Sequence, residues 1–266
     1  MKKYTFFYVV GGNDCYYNQL AKSIRSLKRL KCDFNIKILD FNKKLSSEKN
    51  IEIVNSNKKV NQKHIFWQYK YFITQQLDTE YGIYLDCDTI ICKDRVEEIF
   101  DQLDYKFGVV QHFYLNNFNK FLNAFPFKTS EDFINKHFIN LEDKFYTGGV
   151  FLFKNNANSF NILKNTFEMH NEYYSENKFY IEGLYDETFL STVLRKFNHL
   201  NLNGAINHCC ANHMPLKLKE NKLVGKNPFD ALYEDIFVLH GYSDRQVLGL
   251  DFSGDLKQKI QAMWDI

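Results

Sequence analysis

Short apolar runs alternate with amphipathic stretches along the 266 residues of this chain. Phe6 to Val10, Ile36 to Asp40, Ile51 to Val54, Gly82 to Asp86, Phe107 to Gln111, Val150 to Phe153 and Ile236 to His240 have the length and apolar character of strands. Between them, Leu20 to Leu30 places Leu20, Ile24, Leu27 and Leu30 on one helical face, and Ile65 to Leu77 and Val96 to Leu103 predict two further helices. The alternation predicts an α/β fold with a Rossmann-like, mostly parallel central sheet and helices on both faces. Ligands then belong at the carboxyl ends of the strands, where Gly11-Gly12 and Asp86-Cys87-Asp88 both fall.

The segment from His112 to Tyr146 interrupts this pattern. It holds Phe113, Phe118, Phe121, Phe125, Phe127, Phe133, Phe138 and Phe145 among Asn and Lys residues, without a clean period. An insertion this long between two strands predicts a functional lid or a small helical subdomain, with packing of the rings against the sheet as the alternative. No repeat or linker composition marks a boundary, so residues 1–266 are expected to form one domain with residues 112–146 as an insertion.

Composition removes several classes of function. Lys+Arg 34 against Asp+Glu 32 gives a net charge of +2 with no long basic run, so the footprint of a nucleic-acid binder is missing. The cysteines Cys15, Cys32, Cys87, Cys92, Cys209 and Cys210 contain no C-x-x-C, and no signal peptide pattern precedes them; they are expected to be reduced thiols of a cytoplasmic protein. No stretch approaches a membrane span, so any membrane contact is expected to be peripheral, at the inner face of the cell membrane. The many Phe and Tyr supply flat faces on which sugars or bases could stack.

The candidate chemistry centres on Tyr84-Leu85-Asp86-Cys87-Asp88. Strand alternation would project Asp86 and Asp88 the same way, where paired oxygens can hold a hard divalent cation that bridges a diphosphate. Gly11-Gly12-Asn13-Asp14-Cys15-Tyr16 follows the first strand but is not a dinucleotide fingerprint. Tyr146-Thr147-Gly148-Gly149-Val150 lets backbone approach a ligand closely or makes a plain turn. Asp186 and Glu187 open an amphipathic helix, where the dipole favours carboxylates whether they cap or catalyse. His240 ends a strand and is a candidate metal ligand.

In this order the segments resemble the GT-A glycosyltransferases, and among them most closely family eight, the retaining nucleotide-sugar transferases that include glycogenin and the bacterial lipooligosaccharide galactosyltransferases. The resemblance covers nearly the whole chain. It implies a uridine site at Asn13, Asp14 and Tyr16, with Ser26 following ten residues later and Tyr16 packed on the uracil. It implies a metal motif at Tyr84 to Asp88 with His240 as third ligand for Mn²⁺ or Mg²⁺, and a donor-binding cation at Lys70, where the family normally has arginine. Thr147-Gly148-Gly149-Val150 is similar to the segment beneath the donor sugar, and Asp186-Glu187 to the family's aspartate-glutamine pair.

The departures are specific. Thr147 replaces the usual asparagine, Glu187 stands in place of glutamine as in the blood-group type α-1,3-transferases, and the lysine-proline-tryptophan after the histidine is absent, leaving Arg245 as the replacement cation for the diphosphate. The implied activity is metal-dependent, retaining transfer of a hexose from a UDP-sugar to a glycan or glycolipid acceptor, in bacterial surface polysaccharide or lipooligosaccharide synthesis. Glu187, or Asp186, would support the oxocarbenium-like transition state; in an inverting enzyme the same carboxylate would be the base. Two other classes compete with this reading. A sugar nucleotidyltransferase would want a basic glycine-rich loop after the first strand, which is missing before Lys22; a zinc module would draw on His208-Cys209-Cys210-Ala211-Asn212-His213, whose spacing fits zinc poorly.

Overall fold

The structure, a computed structural model, describes residues 3–56, 65–95, 97–101, 103–104, 106–176, 183–209, 216–219, 222–226, 233–240 and 258. In chain order the elements are β1 (Tyr4–Val10), α1 (Asp14–Leu27), β2 (Phe34–Asp40), β3 (Ile51–Asn55), α2 (Ile65–Ile73), β4 (Tyr81–Leu85), β5 (Thr89–Ile91), α3 (Glu97–Phe100) and β6 (Phe107–Gln111). Then come α4 (Phe118–Ala124), α5 (Lys128–Lys136), β7 (Tyr146–Lys154), α6 (Ala157–Glu176), α7 (Asp186–Leu194), β8 (His199–Leu202), β9 (His208–Cys209), β10 (Leu216–Lys219), β11 (Lys222–Lys226), β12 (Tyr233–Asp235) and β13 (Val238–His240).

Seven strands form the central sheet in the order β3-β2-β1-β4-β7-β6-β8. Every pairing is parallel except those of β7, which runs against both β4 and β6. The mostly parallel sheet expected from the sequence is therefore present, with one reversed strand near its middle. All seven residues of β1 are buried, as a strand covered on both faces requires. Successive side chains feed opposite layers: Phe6, Tyr8 and Val10 join Leu20 and Leu27 of α1, while Phe7 and Val9 join Tyr71 of α2, Ile162 of α6 and Leu190 of α7.

The 20-residue helix α6 has no counterpart among the helices expected from the apolar pattern. Its inward face carries Ser159, Thr166 and His170, all fully buried or nearly so, alongside Ile162 and Leu163. Thr166 donates to the Ile162 carbonyl within the helix and His170 contacts the Gln68 amide oxygen of α2 at 3.1 Å, so polar residues on the buried face break the apolar period. The aromatic insertion is helical. Phe118, Phe121, Phe133 and Phe145 form a core with Tyr173 of α6 and Phe189 of α7, so these rings pack on helices and on one another. Among the described residues no helix is long and apolar enough to cross a membrane.

Two smaller three-stranded sheets complete the architecture, β10-β11-β12 and β5-β13-β9. The second matters for the site: β13 lies antiparallel to β5 with His240 opposite Thr89, which brings the histidine back beside the end of β4.

Candidate active site

Strand β4 ends at Leu85, and the chain turns at Cys87 and Asp88 before β5 starts. The two aspartates therefore converge through a turn, closed by the Thr89 hydroxyl donating to the Asp86 carbonyl at 2.8 Å, and not through the strand alternation expected from the sequence. His240 enters from β13. Its Nε2 lies 3.5 Å from Asp86 Oδ2 and 3.6 Å from Asp88 Oδ1, and one ligand atom from each of the three residues falls within 4.8 Å of the others. This is the sole such cluster of potential metal ligands among the described residues.

Strand β7 forms the floor beneath this cluster. Register opposite β4 puts Gly149 beside Asp86, whose N–H donates to the Gly149 carbonyl at 2.9 Å. A Cβ on Gly149 would sit 1.9 Å from Cε1 of His240, so the imidazole occupies the space that a side chain would need. Gly148 is as confined, since a Cβ there would meet Asp186 Oδ2 at 2.6 Å. The two glycines thus lie within strand β7 and not in a turn, and the space beside each is taken by a side chain of the site.

Lys70 of α2 sits under the floor with 3 % of its surface exposed. Its ammonium lies 2.8 Å from Asp186 Oδ2 and 3.4 Å from Asp86 Oδ1, donates to the Gly148 carbonyl at 3.0 Å, and stands 5.0 Å from the centre of the Tyr84 ring. Two phenols complete the group: Tyr84 donates to Asp86 Oδ1 at 2.8 Å and Tyr71 to Asp186 Oδ2 at 3.4 Å, with Phe151 stacked against both rings. Tyr71 is missing from the sequence-based site, and Tyr84 enters it only as the first residue of the acidic motif, with no role of its own. Tyr84 precedes Asp86 by two residues on one strand face, a signal that was available; Tyr71 lies in a run of aromatic core residues and gives none.

The two acids at the start of α7 have different environments. Asp186 points inward to Lys70 and Tyr71 and is buried, whereas Glu187 is half-buried and accepts the Gly148 N–H on Oε1 at 3.1 Å. Burial lifts the Asp186 carboxyl to about 6, with Glu187 and Asp86 pushing the same way against the pull of Lys70. Burial would also raise Asp86, but Lys70, His240 and the Tyr84 hydroxyl outweigh it and hold that group down at about 2. Asp88 is raised, by burial first, against the pull of His240. For His240, burial opposes the charged form, yet the contacts with Asp86 and Asp88 overcome it and raise the imidazole above its ordinary value. Lys70 follows the same logic, raised by Asp186 and Asp86 despite burial.

At the neighbouring strand end, Asn13 precedes α1 without a capping bond from its side chain and Asp14 and Tyr16 lie in the first turn, Tyr16 being 41 % exposed. Gly12 has φ +83° and packs beneath the Tyr16 ring. Asp14 pairs with Lys44 at 2.5 Å, and the Asn42 amide donates to the Gly12 carbonyl at 2.6 Å. Ser26 does not face this mouth: it is buried, donates to the Ser23 carbonyl and accepts the Ile91 N–H at 3.0 Å, so it ties α1 to β5. Thr147 stands at the floor, its hydroxyl 3.4 Å from the Gly149 N–H. Arg245 lies outside the described residues, as do residues 210–213 of the histidine-cysteine segment.

The donor set suits a divalent cation of intermediate hardness. Two carboxylates supply the oxygens preferred by Mg²⁺ or Mn²⁺, and the imidazole adds a nitrogen that Mn²⁺ accepts more readily than Mg²⁺.

A seven-stranded sheet with one reversed strand, an acidic cluster at its carboxyl edge and a helix N-terminus beside it has the architecture of the GT-A glycosyltransferase structures. The chain is similar to the galactosyltransferase LgtC in complex with donor and acceptor sugar analogues, with a TM-score of 0.60 and 13 % identity over 98 % of this chain and 96 % of that one. It also resembles the glycosyltransferase GlyE of Streptococcus pneumoniae TIGR4 (TM-score 0.57, 17 % identity, 100 % of this chain and 61 % of that one). A third likeness is to the bifunctional glycosyltransferase WbbM (TM-score 0.62, 12 % identity, 99 % of this chain and 50 % of that one). No protein-family model matches the chain, and neither does the sequence of any curated protein.

Proposed function

We propose that this chain is a metal-dependent, retaining glycosyltransferase that moves a hexose from a UDP-sugar to a glycan or lipid-linked acceptor, at the cytoplasmic side, in the synthesis of a bacterial surface polysaccharide or lipooligosaccharide. The observation that carries this reading is the convergence of Asp86, Asp88 and His240 on the Gly148-Gly149 floor, with Glu187 anchored to that same floor. Support for the substrate class comes from LgtC, whose structure holds donor and acceptor sugar analogues. Retention rests on the family resemblance.

Mn²⁺ or Mg²⁺ held by Asp86, Asp88 and His240 would supply the positive charge that offsets the charge growing on the leaving diphosphate. The residues themselves divide the remaining work. Tyr16 offers its exposed ring to the uracil, beside Asn13 and Asp14. Gly148 and Gly149 leave the room that Asp186 and His240 need to close on the floor, with Thr147 beside them. Glu187, oriented by the Gly148 N–H, presents a carboxylate that stabilises positive charge developing at the anomeric carbon. Lys70 fixes Asp86 and Asp186 from below, and Arg245 is left as the cation for the diphosphate.

A screen of nucleotide sugars for release of nucleoside diphosphate, with and without Mn²⁺, tests the reading. A UDP-sugar should be consumed in the presence of metal and yield an α-glycoside from an α-linked donor. Turnover of every donor without metal, or formation of pyrophosphate in place of nucleoside diphosphate, would overturn it, and a β-linked product would make the enzyme inverting.

A further inference from the structure

Three polar atoms of Asp86 are tied to the fold: its N–H donates to the Gly149 carbonyl at 2.9 Å, its carbonyl accepts the Thr89 hydroxyl at 2.8 Å, and Oδ1 accepts the Tyr84 hydroxyl at 2.8 Å. The fourth, Oδ2, faces the cluster, 3.5 Å from Nε2 of His240. The two oxygens of this carboxylate are therefore not equivalent.

Two groups meet Oδ1, and they differ in what they can do. The hydroxyl at 2.8 Å sits at the usual O–H···O distance and directs the plane of the carboxylate. The Lys70 ammonium, at 3.4 Å, is beyond the range of a charge-assisted hydrogen bond, and its shorter contact is with Asp186 at 2.8 Å, so it attracts Asp86 without orienting it. The phenol has no freedom of its own. Tyr84 is 2 % exposed, its ring stacks on Phe151 at 5.0 Å and 15°, and its backbone is paired on both sides, to Phe7 of β1 and Phe151 of β7.

The oxygen that remains decides how a cation can be held. With Oδ1 engaged by the phenol, Asp86 offers Oδ2 and does not close both oxygens on one ion. A single carboxylate oxygen beside an imidazole suits Mn²⁺. Ca²⁺ collects about six to eight oxygen ligands and readily takes both oxygens of a carboxylate.

We infer that Tyr84 is a positioning residue of the metal site, whose hydroxyl holds Oδ1 so that Asp86 binds through Oδ2 alone and the site favours Mn²⁺ over Ca²⁺. The inference rests on the proposed metal site and adds the ligand atom and the ion that is disfavoured. Tyr84→Phe removes the hydroxyl and keeps the stacked ring. Tyr71→Phe is its matched control: it also deletes a buried hydroxyl from a ring stacked on Phe151, but that hydroxyl points to Asp186 and not to a metal ligand. Calorimetric titration of the full chain with Mn²⁺ and with Ca²⁺, without nucleotide and with UDP, reads the effect. Tyr84→Phe should weaken Mn²⁺ by about tenfold or more and Ca²⁺ by less, so the preference narrows, while Tyr71→Phe should change neither affinity. Equal Mn²⁺ affinity in Tyr84→Phe and wild type, an equal loss in Tyr71→Phe, or an unchanged ratio of Mn²⁺ to Ca²⁺ affinity would overturn the assignment and leave the metal site standing. A Tyr84→Phe chain that does not fold would make the hydroxyl structural and overturn it too. A wild type that binds Mn²⁺ under neither condition would overturn the metal site itself, and the assignment with it.

Discussion

Replacing Lys70 by methionine removes one buried cation and leaves two carboxylates facing an apolar stem. The ammonium stands 2.8 Å from Asp186 and 3.4 Å from Asp86. At an effective dielectric of about 20, those separations correspond to attractions of about 6 and about 5 kcal/mol before the cost of burying the ions is set against them. Removing one partner of a buried ion pair costs a net of about 3–5 kcal/mol, which lowers Tm by roughly 6–20 °C in a chain of this size. The pH dependence gives a second readout. Asp186 already sits at about 6, above its unfolded value, so its contribution favours the fold at acid pH and is lost as pH rises through about 6. Without Lys70 that carboxyl rises further, so the deficit of Lys70→Met should be largest above neutrality and shrink between pH 7 and pH 5. The part owed to Asp86, held at about 2, should persist over that range, because a depressed carboxylate loses its contribution only as pH falls below the ordinary value. Thermal unfolding of wild type and variant at pH 5, 6, 7 and 8 measures this. A Lys70→Met protein as stable as the wild type at every pH, yet unable to bind UDP, would refute the reasoning and make Lys70 a phosphate ligand and nothing more.

Gly149→Ala places a methyl group where Cε1 of His240 lies 1.9 Å away, so the imidazole must move. Calorimetric titration should show Mn²⁺ affinity lowered by about tenfold or more, and unchanged affinity would mean that His240 is not a ligand. Glu187→Gln can still accept the Gly148 N–H while losing its charge. Donor affinity should stay near wild type and transfer should slow by about 10²- to 10³-fold; an unimpaired variant would move the catalytic role to another group.

Much of the sheet is legible in the sequence because each buried strand is a short apolar run, and the acidic site is legible because Asp86 and Asp88 end one of them. The reversal of β7 is not, since Val150 to Phe153 has the same composition in either direction and only its pairing with β4 and β6 sets its sense. Helix α6 escapes the apolar pattern because Ser159, Thr166 and His170 occupy its buried face. His240 is recognisable as a strand-end histidine, but its convergence with Asp88 depends on the pairing of β13 with β5, a contact between segments about 150 residues apart. Lys70 is conspicuous as a cation near the acidic strand, whereas its burial follows from how α2 packs on β1 and α6, which brings the ammonium to the Gly148 carbonyl and which no local pattern encodes.

The central claim, that Asp86, Asp88 and His240 hold a cation which in turn holds a uridine diphosphate, is tested most directly by the thermal shift that UDP produces with and without Mn²⁺ in the wild type and in Asp88→Asn. The account predicts a rise in Tm that needs both UDP and Mn²⁺, is larger than that given by adenosine or guanosine diphosphate, and disappears in a folded Asp88→Asn protein. A rise of equal size without metal, or one retained by Asp88→Asn, would contradict it.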